Sequence, residues 1–295
     1  MSWQPIDTWI VLTGALIAMS CALPGSFLIL NRNSMMGDGI SHAILPGIAI
    51  AFLLTGSRDW YAMLIGAAVA GILTAILSRI IERFGQVESG AALGVVFCSL
   101  FAMGLILIRI ASDKVHLDPN CVLYGTIETA VVDFRIVPYV TLQAAVTLAL
   151  NLILIFLFYK ELRLSAFDPS LASALGFRPE FMRYALTTLT AINAVMAFES
   201  VGSILVIAML IVPGATALIV SHNLKVILIL SLIFAAMAAL IGHLMAIWFV
   251  PYSFNFMLSG SHFSAVSSAG MMTVASGLLF VFCLIISRIR QNLPL

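Results

Sequence analysis

Asp38 and His42 stand four residues apart in Met36-Gly37-Asp38-Gly39-Ile40-Ser41-His42-Ala43-Ile44-Leu45-Pro46-Gly47. On a helix this spacing puts a carboxylate and an imidazole on one face, one turn apart. Oxygen and nitrogen donors converging there suit a borderline divalent cation such as Zn²⁺, Mn²⁺ or Fe²⁺. A second use is open as well, because Asp in a Gly-Asp-Gly turn ahead of an apolar run is a good helix N-cap. The two uses are compatible, and spacing does not separate them. Pro46 and Gly47, one turn on, are the residue types that open a helix backbone where it lines a cavity.

Other chemistry is sparse. None of the three lysines, Lys114, Lys160 and Lys225, follows a glycine, so no phosphate-cradling Gly-x-x-x-x-Gly-Lys loop exists. A Gly-x-Ser-x-Gly elbow and a His-Glu-x-x-His pair are missing too. The chain is not expected to be an enzyme, and any energy it used would come from an ion gradient or from another subunit. His243 lies inside an apolar run, where it either faces a pathway or packs against a neighbouring carbonyl. Glu199 either ends a short helix at a turn or forms an acidic entrance for cations. His222 and His262 fall at helix ends, and the 14 methionines, Met35-Met36 and Met271-Met272 among them, read as lipid or core contacts.

The elements that must position these residues are membrane helices. Of the 295 residues, 62% are hydrophobic and 9% charged, with a mean hydropathy of +1.14; soluble domains are roughly 45–50% apolar and 25% charged. Basic and acidic residues number 14 and 13, and no basic run supports a nucleic-acid partner. Backbone polar groups in lipid must be paired within the segment, so each long apolar run reads as a helix. About nine spans follow, with a range of about eight to ten. They are Trp9 to Leu30, Asp38 to Gly56, Trp60 to Ser78, Gly90 to Ile108, Ile136 to Tyr159, Tyr184 to Phe198, Ser200 to Val220, Val226 to Val250 and Phe263 to Ser287. The stretch from Tyr184 to Val220 would run about 55 Å as one helix, nearly twice the hydrocarbon thickness. A turn is therefore expected at Glu199-Ser200-Val201-Gly202.

Placing the N-terminus outside leaves Arg58, Arg109, Lys114 and Arg135 external and the other ten basic residues inside, as the positive-inside tendency requires. The C-terminus is then cytoplasmic. The N-terminus lacks the basic start of a secretory signal, so the first span is expected to be retained. Cys21, Cys98 and Cys283 lie in apolar runs and Cys121 in a polar one, which predicts no structural disulfide. Residues 161–183 form a cytoplasmic segment and residues 111–135 an external loop within one transmembrane domain, residues 1–295. In the cytoplasmic segment Asp168 reads as an N-cap, Pro169 as the first helical residue and Gly176 as a left-handed C-terminal turn. Intramembrane glycines near Ala and Ser predict closely packed helices.

Gly37 to Gly47 resembles the signature of membrane permease subunits of ATP-binding cassette importers for zinc, manganese and iron. Two further stretches agree: Phe167-Asp168-Pro169 with Ala172 to Gly176, and Val201-Gly202-Ser203-Ile204-Leu205-Val206 leading to Met209 to Ala217. The resemblance extends over most of the chain. It implies an all-α polytopic bundle like that of type II importers, in the bacterial cytoplasmic membrane. Asp38 and His42 would coordinate the metal in the pathway. Asp168, Pro169, Ala172, Leu175, Gly176 and Phe177 would form the coupling helix against a cytoplasmic ATPase. Gly202, Pro213 and Gly214, with Pro46 and Gly47, would pack along the pathway. His116, Asp118 and Cys121 would either receive metal from an external binding protein or form a polar loop packed against it. The implied partners are ATPase subunits, that binding protein, a second permease copy, identical or homologous, and lipid. No cofactor is held permanently, the metal being cargo. The alternatives are a permease for a chelated metal or siderophore, which Asp38 and His42 argue against, and an autonomous ion-coupled transporter, which lacks support because the motif has no second copy.

Overall fold

A computed structural model describes residues 3–31, 37, 39, 43, 45–56, 60–112, 127–132, 137–249 and 267–292. Among these residues the only regular elements are helices: α1 (Pro5–Leu30), α2 (Leu45–Thr55), α3 (Trp60–Gly85), α4 (Ser89–Ser112), α5 (Ile127–Ala130), α6 (Tyr139–Leu157), α7 (Tyr159–Phe167), α8 (Pro169–Ala174), α9 (Pro179–Val201), α10 (Ser203–Val220), α11 (Leu224–Leu244) and α12 (Ser268–Asn292). A π-helical turn, Met245–Phe249, continues α11.

Six of the described helical stretches are long and apolar enough to cross a membrane: Pro5–Leu30, Tyr61–Gly85, Ser89–Arg109, Tyr139–Leu157, Leu224–Trp248 and Ser268–Ile289. Leu45–Thr55 and Leu205–Val220 are apolar but shorter. Helix α9 is long, yet it carries Glu180, Arg183, three threonines and Asn193. Among the described residues, length and apolarity thus identify six such helices, which does not confirm the expected count of about nine. The turn expected at 199–202 falls at Gly202, whose φ of +80° suits only a residue without a Cβ. Helix α7 falls largely in the cytoplasmic segment, where the only helix expected was the one that Asp168 opens. Cys21, Cys98 and Cys283 are free thiols, and Cys121 lies outside the described residues.

The chain divides into two compact units. The first holds residues 1–26, 122–150 and 197–295. Its helices α10, α11 and α12 pack on one another. Small residues allow that closeness in lipid, where no hydrophobic force pulls helices together. A Cβ on Gly242 would run into the Met272 backbone, one on Gly25 into the Leu210 carbonyl, and one on Gly14 would lie 2.8 Å from the Met272 methyl. The Thr13 and Thr141 hydroxyls, 2.6 Å apart, tie α1 to α6.

The second unit holds residues 27–121 and 151–196. Helices α2, α3 and α4 pack mutually. Gly47 and Gly66 meet backbone to backbone, each leaving no room for a Cβ on the other. Asn151 and Asn193, both fully buried, exchange amide hydrogen bonds of 2.7 and 3.1 Å, and Asn193 also donates to the Leu189 carbonyl. Such paired amides satisfy buried polar groups that lipid or core would leave costly.

Candidate metal pathway and coupling segment

Asp38 and His42 lie outside the described residues, as do His116, Asp118 and Cys121. Their described neighbours Gly37, Gly39 and Ala43 are helical and buried. Gly39 stands against Leu93 of α4, and Ala43 packs with Val96 and Leu100 of α4 and with Leu77 and Ile81 of α3. Pro46 is buried against Gly104 of α4, which has no room for a side chain there. Pro46 and Gly47 also line an apolar cavity of about 400 Å³ together with Gly66, Ala70 and Met103. Gly202, Pro213 and Gly214 are buried in the first unit. Pro213 sits inside α10. Among the described residues no three His, Cys, Asp or Glu side chains gather as a metal set.

His243 is 2% exposed and lies in the last turn of α11. Its Nδ1 is 3.1 Å from the Ser268 hydroxyl. Its Nε2 is 3.5 Å from Asp7 Oδ1, within ion-pair reach but without a hydrogen bond. Glu128 of α5 accepts a 2.6 Å hydrogen bond from the Ser268 amide, the first of α12. A carboxylate is well placed at that positive helix end. Trp3 stands edge-on to the imidazole with ring centroids 5.7 Å apart. Four elements distant in sequence are thus held together around one histidine, whose partners are a hydroxyl and a carboxylate rather than a carbonyl. Glu199 lies in the last turn of α9, and its side chain is outside the described atoms.

Residues 168–177, the stretch expected to couple to an ATPase, form a tight helix–turn. The Asp168 carboxylate accepts from the Leu171 amide at 2.9 Å and from the Ser170 hydroxyl at 2.5 Å. These two bonds, the hydroxyl foremost, hold its carboxyl below the usual carboxylate range. Pro169 opens α8, where its missing N–H costs nothing. Gly176 closes the segment at φ +85°, with the Phe177 amide bonded back to the Ala172 carbonyl. This is the left-handed helix ending that glycine favours. Ala172 is fully buried beneath it, whereas Phe167, Leu171 and Leu175 are 57%, 46% and 60% exposed. An exposed apolar surface on a short rigid helix is the form of a protein–protein contact. The sequence reading did not find Arg79 and Glu180, which form a 2.5 Å ion pair joining α3 to the start of α9. No local signal could have found them, since they lie about a hundred residues apart in the chain.

Among the described residues all regular structure is helical, and six helices are long and apolar enough to cross a membrane, which defines a polytopic membrane protein. The chain belongs to the ABC 3 transport family, which matches residues 5–287. It is 40% identical over 280 residues to the manganese transport system membrane protein MntD of Bacillus subtilis, covering 93% of this chain and 92% of that one. It is 36% identical to the zinc transport system membrane protein TroD of Treponema pallidum, covering 94% and 73%. Among solved structures, PsaBC from Streptococcus pneumoniae in complex with Fab matches with a TM-score of 0.75 and 32% identity, over 95% of this chain and 91% of that one. An inward-facing putative metal-chelate type ABC transporter matches with a TM-score of 0.61 over 94% and 85%. At 17% identity it shares the fold alone.

Proposed function

We propose that this chain is the permease subunit of an ATP-driven importer that moves a divalent transition metal, Mn²⁺ or Zn²⁺ foremost and Fe²⁺ as a further cargo, across a bacterial cytoplasmic membrane. The observation that carries the proposal is sequence identity of 36–40% over more than nine-tenths of the chain to membrane proteins named for manganese and zinc transport systems. Asp38 and His42 bind the ion in the pathway, with two ligands from each of two permease copies. Two exchangeable ligands per subunit favour conduction, because a closed cage would not release the ion. An external binding protein delivers the metal. The 168–177 segment couples ATP hydrolysis in the partner subunits to alternating access, a role supported by its apolar exposure. In this reading about nine segments traverse or enter the bilayer, with the N-terminus outside and the C-terminus in the cytoplasm.

The test is uptake of radioactive manganese or zinc by proteoliposomes holding the permease, its ATPase and its binding protein. ATP-dependent uptake that vanishes in Asp38→Ala and His42→Ala, while the complex assembles and hydrolyses ATP, is expected. Normal uptake by both variants would remove the assigned ligands. Gradient-driven uptake by the chain alone would remove the ATP-driven reading, and preference for chelated over free metal would redirect it to a chelate permease.

A further inference from the structure

In the first unit the polar groups around His243 are paired off, with one gap left over. The imidazole Nδ1 meets the Ser268 hydroxyl at 3.1 Å, and Glu128 holds the Ser268 amide. Asp7 Oδ2 accepts a 2.7 Å hydrogen bond from the Gln4 amide at the start of α1. Trp3, edge-on to the imidazole, donates through its indole N–H to the Thr8 hydroxyl at 2.9 Å. The gap lies between His243 Nε2 and Asp7 Oδ1, which stand 3.5 Å apart. Nε2 is inaccessible to solvent and makes no hydrogen bond among the described residues.

A proton on Nε2 would be donated to the carboxylate, yet that hydrogen bond is not formed. With the ring proton on Nδ1 and donated to Ser268 Oγ, Nε2 turns a lone pair toward Asp7, so that two acceptors face each other. Leaving a buried polar atom in that state costs about 1–3 kcal/mol. A cation in the gap relieves it. Atoms bound about 2.0–2.2 Å from one metal ion, in tetrahedral or octahedral arrangement, stand about 3–3.5 Å apart. The observed separation of 3.5 Å falls at the upper end of that range. A metal-binding histidine is ordinarily steered by a hydrogen bond on its other nitrogen, which fixes tautomer and ring plane. Ser268 supplies that bond here, and the Gln4 amide steers the carboxylate in the same way.

We propose that His243 Nε2 and Asp7 Oδ1 form a transient binding site for a divalent transition metal ion, Mn²⁺ or Zn²⁺, with water completing the shell. Two protein donors are too few to retain a metal, which suits an ion in passage. The Asp7 side chain is 15% exposed and that of His243 2%, so the ion enters past the carboxylate. Helix α1 begins, α11 ends and α12 begins at this site. In the orientation proposed above that end faces outward, where metal arrives before it reaches Asp38 and His42. The inference rests on the importer reading for its cargo and its side of the membrane, but its own readout is metal binding.

The test counts Mn²⁺ bound to the purified, nucleotide-free permease–ATPase complex by electron paramagnetic resonance, in excess Mg²⁺. Asp38→Ala and His42→Ala are both present, so the pathway ligands do not contribute. One Mn²⁺ per permease chain is expected, displaced by Zn²⁺ and not by Mg²⁺. His243→Gln should abolish it. Asp7→Asn keeps an oxygen for the Gln4 amide and should weaken binding about tenfold or more, and Ser268→Ala, which frees the ring without removing a ligand, about tenfold. These two variants decide the matter if His243→Gln fails to assemble. Absence of bound Mn²⁺ while His243 and Asp7 are intact, the result if a proton fills the gap, would overturn the proposal. Equal binding in Asp7→Asn and its parent would do the same. Bound Mn²⁺ without ATP-driven uptake by the unsubstituted complex would remove the importer reading and leave the site; uptake by that complex without Mn²⁺ bound in the test background would remove the site alone.

Discussion

His243 Nε2 faces Asp7 Oδ1 at 3.5 Å, joining the start of α1 to the end of α11 at a site where the imidazole is almost wholly buried. The Ser268 hydroxyl occupies the other ring nitrogen, and Glu128 caps the helix that Ser268 begins. His243→Ala would strip both Asp7 and Ser268 of a partner. Leaving buried polar groups unmade costs about 1–3 kcal/mol, so thermal unfolding of the detergent-solubilised protein should occur at a lower temperature. Asp7→Ala combined with His243→Ala should cost less than the two single losses added, by about 0.5–3 kcal/mol. Strict additivity would mean the two side chains do not interact.

This tie was not legible in the sequence, and the reason is physical. Asp7, Glu128, His243 and Ser268 carry no local pattern, because tertiary packing alone brings them together. The features that were legible are those set by short-range backbone rules. The break near residue 199 was expected because a helix from Tyr184 to Val220 is too long for a bilayer, and it falls at Gly202, which can adopt φ +80°. The Asp168 cap and the Gly176 turn were expected for the same kind of reason. Helix α7 was missed because its charged residues mask an ordinary helical segment, and α9 starts at Pro179, five residues ahead of the apolar run that was read. Residues 37–47 were recognised by motif, and their small residues Gly39 and Gly47 do pack against other helices.

Gly47 and Gly66 place α2 and α3 in backbone contact. A Cβ on Gly47 would meet the Gly66 carbonyl, which cannot move aside as a flexible side chain could, and the Ala70 methyl at 2.8 Å. Gly47→Ala should therefore push the helices apart and cost about 1–3 kcal/mol. Under the importer reading, a shift there would also disturb metal transport, because Gly47 belongs to the stretch assigned to the pathway. The expected result is lower thermal stability and reduced metal uptake in one variant, whereas Gly90→Ala, at a position with open space around it, should leave both unchanged. Equal behaviour of the two variants would contradict the close-packed arrangement.

Gly202 is the joint between α9 and α10. Its φ of +80° is one that L side chains rarely adopt. Gly202→Ala should destabilise the protein by about 1 kcal/mol and shift the angle between the two helices. Under the importer reading, metal uptake then falls more than ATP hydrolysis does. Reconstituted complexes assayed for both in parallel give the answer; an alanine variant with full uptake would show that the joint tolerates an ordinary residue.

Under the importer reading, the Asp168 cap steadies the segment that meets the ATPase. Its carboxyl, lowered from an ordinary value of 3.8 by the Ser170 hydroxyl and the Leu171 amide, is ionised throughout the physiological range. A depressed folded-state value means that the cap's contribution is complete above the unfolded pKa and is lost only as pH falls through the folded one. Metal-stimulated ATP hydrolysis should therefore show no titration assignable to Asp168 between about pH 5 and 8. Asp168→Ala should lower coupling, measured as metal moved per ATP hydrolysed, across that whole range. Asp168→Asn keeps an acceptor for the Leu171 amide and should retain most of it, Asn being nearly as good a cap. A coupling ratio in Asp168→Ala equal to that of the parent would show that the cap does not govern how the segment engages its ATPase.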